Sequence, residues 1–257
     1  MSGKFRLLPG FALLALLVQS GWAMAQNDSE WMVAPYLWGP GINVDTTAAG
    51  GGNDLGLSDI LDKTDAVGMI RVEYRYRKWG VLLDYIFLGL ADEQTIMPDA
   101  PPAPNIFVRA DLDVTVWELA GFYRLSGDGR TGFDWLFGAR RVEQEQLLLL
   151  TPDINNPVTR RIESRETFTD AMIGARFLYP MGEHFDLTMR ADVSGGDTEG
   201  TTNFLASVGY RFPIRYQIAV HLGYRYATLR LKETSASEVV ETDITLSGPF
   251  LGFAFRF

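Results

Sequence analysis

The last stretch of this 257-residue chain alternates up to its final residue. Leu251, Phe253, Phe255 and Phe257 fall on one side of a two-residue period, and Gly252, Ala254 and Arg256 on the other. Successive side chains of a strand point to opposite faces, so the segment is a strand that is apolar on one face and small or charged on the other. Lipid outside and water inside suits both faces at once.

The same pattern recurs along the chain. Ala66, Gly68, Ile70, Val72, Tyr74 and Tyr76 share one face, while Arg71, Glu73, Arg75 and Arg77 share the other. A soluble sandwich would bury neither set comfortably; a barrel puts the first against lipid and the second in a polar lumen. The alternation predicts strands near 31–46, 66–77, 81–91, 106–124, 133–149, 164–179, 185–194, 202–212, 216–231 and 243–257. Short connections at Lys78-Trp79, Ser126 to Thr131, Pro180 to His184 and Pro213 to Arg215 alternate with long polar loops at 47–65, 92–105, 150–163, 195–201 and 232–242. The expected fold is therefore all-β: a transmembrane antiparallel up-and-down β-barrel of ten strands, with eight as the alternative. Short turns would face the periplasm and long loops the exterior.

Two segments depart from simple alternation. Val108, Ala110, Leu112, Val114 and Val116 read outward, yet the same parity carries Glu118 into lipid. A β-bulge near Thr115 or Val116 would turn Trp117, Leu119 and Tyr123 outward instead. Further on, Phe133, Trp135, Phe137 and Ala139 run into Arg141, Glu143 and Glu145, where the strand is expected to leave the membrane as an external hairpin. Aromatics gather at the short-turn ends, among them Tyr74, Tyr76, Trp79, Phe133, Trp135, Phe177, Tyr179, Phe185, Tyr210, Phe212 and Tyr216, as in an interfacial girdle.

The N-terminal segment fits export. Lys4 and Arg6 precede the apolar run Phe11 to Val18, followed by Ala23-Met24-Ala25, so residues 1–25 read as a secretory signal and 26–257 as one barrel domain. The apolar run is shorter than the roughly 18 residues of a membrane helix. Without Lys4 and Arg6 the 23 basic residues become 21 against 32 acidic ones, a net charge of −11. So acidic a chain is a poor partner for nucleic acid. Cysteine is absent, which excludes disulfides and thiolate metal sites, and mean hydropathy is near zero.

Parity gives the lumen a ladder of charges. Its expected basic members are Arg71, Arg75, Arg77, Arg109, Arg140, Arg176, Arg190, Arg211 and Arg225; its acidic members are Glu73, Asp84, Asp111, Asp113, Asp134, Asp170, Asp186 and Asp192. The chain uses 19 arginines and four lysines, and a planar guanidinium that binds carboxylates bidentately suits a fixed ladder. An internal repeat, Asp134 to Arg140 and Asp170 to Arg176, sharpens this expectation. Antiparallel partners share a constant index sum, and one register opposes Asp134 to Arg176, Arg140 to Asp170 and Glu145 to Arg165. The ladder can be read as a network filling the lumen or as the wall of a narrow polar pore, and barrels of about eight strands are filled by side chains.

Loop charge is mostly acidic, which would draw cations toward a pore. Arg160, Arg161 and Arg165 are the basic exception and could meet lipopolysaccharide phosphates. Asp59, Asp62 and Asp65 lack a regular calcium pattern, and Ser58 to Lys63 reads as a short capped helical turn. No metal site, cofactor or catalytic residue is expected. The two histidines are His184 in a short turn and His221 facing the lumen, and no Gly-x-Ser-x-Gly occurs.

Several stretches together resemble a family of Gram-negative outer-membrane proteins of the porin-like or OmpA-type β-barrel kind. They are Pro35-Tyr36-Leu37-Trp38-Gly39, Asp59-Ile60-Leu61-Asp62, Arg77-Lys78-Trp79-Gly80 before Leu83-Asp84, the Gly-Ala-Arg repeats and Gly223-Tyr224-Arg225. Leu251, Phe253, Phe255 and terminal Phe257 resemble the C-terminal signal read by the barrel assembly machinery. The resemblance implies outer-membrane lipid and lipopolysaccharide as surroundings, and it implies neither ligand nor reaction. Three roles follow as expectations: an envelope structural or interaction barrel, a narrow cation-preferring channel, or more remotely a barrel-embedded hydrolase.

Overall fold

A computed structural model describes residues 29–46, 53–55, 64–96, 105–127, 131–154, 158–213, 217–235 and 238–257. The expected signal segment and the Ser58 to Lys63 turn lie outside these residues. Every regular element among them is a strand: β1 Ser29–Trp38, β2 Gly41–Thr46, β3 Asn53–Leu55, β4 Thr64–Tyr76, β5 Trp79–Ile96, β6 Ile106–Ser126, β7 Gly132–Pro152, β8 Arg160–Met181, β9 Phe185–Gly196, β10 Gly200–Arg211, β11 Gln217–Ser235 and β12 Glu238–Arg256.

Consecutive strands from β4 to β12 pair as antiparallel neighbours, β1 pairs with β4, and β12 closes the ring by pairing with β1. The result is a closed up-and-down barrel of ten staves. Closure runs to the chain end, where Trp31 and Phe257 exchange backbone hydrogen bonds of 3.1 and 2.9 Å. The expected strand 31–46 is two pieces, broken at Gly39-Pro40, with β2 and the short β3 continuing the sheet along β12. Proline has no N–H for the ladder. Gly39 donates instead to the Pro249 carbonyl at 3.1 Å. At this crossing a Cβ on Gly248 would sit 2.0 Å from the Gly39 carbonyl oxygen, so only glycine lets β12 pass from β1 to β2.

Strand length decides what lies in the membrane. About 9–11 tilted residues cross a bilayer. β9 and β10 have 12 residues each, whereas β6, β7 and β8 have 21, 21 and 22, so the wall they form rises well beyond the membrane. The short-turn end carries tight reversals such as Arg77-Lys78 and Gly182–His184, where Gly182 takes a φ of 86°. Arg77, expected in the lumen, is a turn residue with a φ of 53°.

The outward face carries two aromatic levels. Trp79 packs on Tyr123 and Trp31 on Tyr74 near the short turns; Tyr85 packs on Trp117 higher up. Six residues separate Tyr123 from Trp117, about 20 Å along the strand, close to the height of the apolar band of such barrels. Trp117 pairs with Arg141 across the ladder, and charged residues follow on β7 beyond it. The girdle and the emergence of the strand at Arg141 thus take the form that the alternation predicts. Tyr216 lies outside the described residues.

The expected β-bulge at Thr115 or Val116 is a correction. Register runs unbroken from Trp79↔Tyr123 to Ile96↔Ile106, and on the other side through Glu118↔Arg140; the irregularity in β6 lies at Arg124/Ser126. One parity therefore holds throughout the spanning part of β6. Val108 to Val116 face inward along with buried Glu118, and Val116 packs in an interior apolar cluster with Trp38, Met69 and Ile86. The apolar pattern misleads because the upper half of this strand stands above the membrane, where no lipid forces apolar side chains outward.

Candidate functional site

The lumen is built from the inward parity of all ten staves and is crossed at mid-height by a ring of ion pairs. Arg140 on β7 reaches Glu118 on β6 at 2.9 Å and Asp192 on β9 at 2.6 Å. Arg190 on β9 binds the same two carboxylates at 2.6 and 2.8 Å. Two arginines and two carboxylates thus close a neutral ring with each group used twice. Asn203 donates to Asp192 at 2.8 Å, and its carbonyl accepts from Arg225 Nε at 2.8 Å. All these residues are buried.

Below the ring, toward the short turns, one contact crosses the barrel. Arg176 on β8 holds Glu73 on β4 through Nη1 at 2.6 and 2.8 Å to the two carboxylate oxygens. Four steps around a ten-stave ring separate those strands, nearly a diameter. The same guanidinium holds Asp134 at 2.9 Å, which Arg124 also grips, and rests 4.8 Å from the Phe122 ring. Phe122 belongs to a buried apolar cluster with Leu82, Ala120, Leu136 and Met172 that fills this side of the lumen. Arg71 pairs with Asp84 at 2.7 Å, and the Tyr36 hydroxyl donates to Asp84 at 2.8 Å. At the rim, Arg75 and Arg256 share Glu30, and Arg211 pairs with Asp186. A charge buried here would be costly unless paired, and nearly every one is paired.

The structure gathers most of the expected ladder: Arg71, Glu73, Arg75, Asp84, Asp134, Arg140, Asp170, Arg176, Arg190, Asp192, Arg211 and Arg225 all carry inward parity. The register deduced from the repeat holds, with Asp134↔Arg176, Arg140↔Asp170 and Glu145↔Arg165 as ladder partners. Two of these pairs form ion pairs, Asp134 with Arg176 and Glu145 with Arg165. Arg140 and Asp170 do not. Asp170 instead accepts from Thr198 N at 3.1 Å and Thr198 Oγ1 at 2.6 Å, tying down the β9–β10 turn.

Arg109, Asp111 and Asp113 are corrections. Without the bulge they share the outward parity of Trp117, on the part of β6 above the membrane, where Arg109 pairs with Asp111 and Glu93. Arg124, Glu30, Tyr36 and Arg256 join the lumen although the ladder omits them. Parity with Phe122 would have found Arg124; the other three lie on terminal strands whose inner face is short of charge. Arg161 and Arg165 stand on the outer face, paired with Glu163 and Glu145, while Arg160 takes the opposite parity. Leu251, Phe253 and Phe257 project outward and exposed from β12, with Phe255 on the same face.

His221 faces the lower lumen and His184 sits in the Gly182–His184 turn, so both histidines lie toward the short-turn end. Among the described residues, no group of three or more His, Cys, Asp or Glu side chains is arranged to hold a metal ion.

No known family model matches this chain, and no curated protein matches it in sequence. Solved structures do. The outer membrane protease OmpT of Escherichia coli is similar over 92% of this chain and 99% of its own, at 10% identity and a TM-score of 0.55. The toluene transporter TbuX of Ralstonia pickettii (11% identity, 91% and 90% covered, TM-score 0.36) and the attachment invasion locus protein Ail of Yersinia pestis (10%, 90% and 100%, 0.32) also match. The last two scores carry no argument, and identities this low speak to the fold alone. The fold is that of the Gram-negative outer-membrane β-barrels.

Proposed function

We propose that this chain is an outer-membrane envelope barrel closed by its own salt-bridged lumen, a structural or interaction protein rather than an enzyme. The observation that carries the reading is the Arg176–Glu73 contact, in which Nη1 donates to both carboxylate oxygens across the lumen between nearly opposite strands. A water-filled pore of this width would keep its wall charges solvated; here they bind one another across the space. External loops and the tall β6–β8 wall are then the parts free to meet partners. Lipopolysaccharide is the first of these, through Arg161 and Arg165 on the outer face, although each is already drawn to a carboxylate. Both histidines lie toward the short-turn end, away from the long loops, which supports a non-catalytic reading.

Planar-bilayer recording of the purified protein tests this reading. Silence from barrels whose folding is verified by heat-modifiable gel mobility supports a closed scaffold. Steady cation-selective steps would overturn it and favour the narrow channel.

A further inference from the structure

The lower lumen holds a cavity of about 130 Å³, running from the Glu30–Arg75 rim up to Tyr36 and Phe250. Six arginines line it: Arg71, Arg75, Arg124, Arg176, Arg225 and Arg256. Their carboxylate partners among the described residues are four, Glu30, Glu73, Asp84 and Asp134. Among the described residues, six against four leaves positive charges in excess, in a space partly walled off from water. The neighbouring ring of Arg140, Arg190, Glu118 and Asp192 is balanced within itself and cannot offset them.

The excess has a location. Arg225 is 5% exposed, and among the described residues its guanidinium meets the neutral Asn203 carbonyl and the face of Trp38 at 4.8 Å, with no carboxylate partner. Its Nη1 is buried without a hydrogen-bond partner among the described residues, and so is Nε of Arg71, whose guanidinium lies 6.0 Å from the Tyr36 ring. A guanidinium in such surroundings costs free energy unless an anion completes its fork. The rest of the lining sets Leu178, Leu205, Phe250 and Ala254 beside Tyr36, Thr188, Ser207 and His221.

We propose that this cavity binds a small organic carboxylate, its oxygens between Arg225 and Arg71 and its apolar body against Leu205 and Phe250, entering from the short-turn side. The apolar part of the lining favours such a solute over inorganic phosphate. The site is independent of whether the lumen conducts, since binding is read without a transmembrane current.

The test is isothermal titration of the intact folded barrel in detergent micelles with benzoate, inorganic phosphate and neutral benzamide. Saturable benzoate binding is expected, weaker for phosphate and absent for benzamide. Arg225→Gln should lower benzoate affinity by about tenfold or more, the scale of one lost charged hydrogen bond. Arg211→Gln, at the rim outside the cavity, should leave it unchanged. Should Arg225→Gln fail to fold, Arg71→Lys keeps the charge beside Asp84 but removes the Nε donor, and should weaken benzoate by a smaller factor. Absence of saturable binding to the wild type, equal binding of benzamide, or full affinity in the folded variants would overturn the proposal.

Discussion

Gly80 and Phe122 share one space inside the barrel. A Cβ on Gly80 would meet the Phe122 ring at 2.1 Å, so the missing side chain of β5 is what lets the ring of β6 lie beneath Arg176. Phe122→Ala would open a void there and is expected to cost about 3–5 kcal/mol, read as a lower urea midpoint of heat-modifiable mobility. Glu73→Gln leaves Arg176 with only Asp134, already shared with Arg124, and should cost a similar about 3–5 kcal/mol by the same assay, the usual result of breaking a buried pair. Sequence alone reveals part of this. Asp134–Arg176 could be deduced because ladder partners obey index arithmetic. The Glu73–Arg176 contact could not, since the two residues lie 103 positions apart and meet across open lumen rather than along a ladder. Arg140 shows the same thing from the other side: its ladder partner is Asp170, but its long side chain reaches two better-placed carboxylates instead.

At the level of elements, the difference between β9–β10 and β6–β8 governs behaviour. The excess length of β7 and β8 stands in water, held by exposed ion pairs such as Arg165–Glu145, with side chains 71% and 48% exposed. Exposed pairs are worth at most about 1 kcal/mol, so Glu145→Gln should hardly move the urea midpoint. Hydrogen exchange should be markedly faster at amides 145–154 and 158–165 than at 133–140, because these parts of β7 and β8 have solvent on both faces; equal protection would place them in the membrane instead. β6 also shows where periodicity loses its force. Trp117, Leu119 and Tyr123 are driven outward by lipid, but nothing sorts Val108 to Val116 above the membrane, and the valine run mimics an outward face. The break at Gly39-Pro40 is a second such place, since a proline on the closing strand signals an interruption only once its neighbours are known.

For the whole molecule, the proposed function makes charge the agent of closure. Ten staves leave more room than the apolar clusters around Leu82 and Trp38 fill, and arginine–carboxylate contacts cross the interior in the mid-height ring and, below it, at Arg176–Glu73. The barrel and its strand order were legible because lipid imposes a strict two-residue period; a charged lumen was legible from parity too, but not the particular contacts, because they depend on which charges meet across the interior. The most direct test is bilayer recording of the double variant Glu73→Ala with Arg176→Ala beside the wild type. It removes one charge of each sign and leaves the net charge unchanged. The account predicts a silent wild type and resolvable current steps from the folded variant. Currents of equal size from both would contradict it, for the Arg176–Glu73 contact would then close nothing.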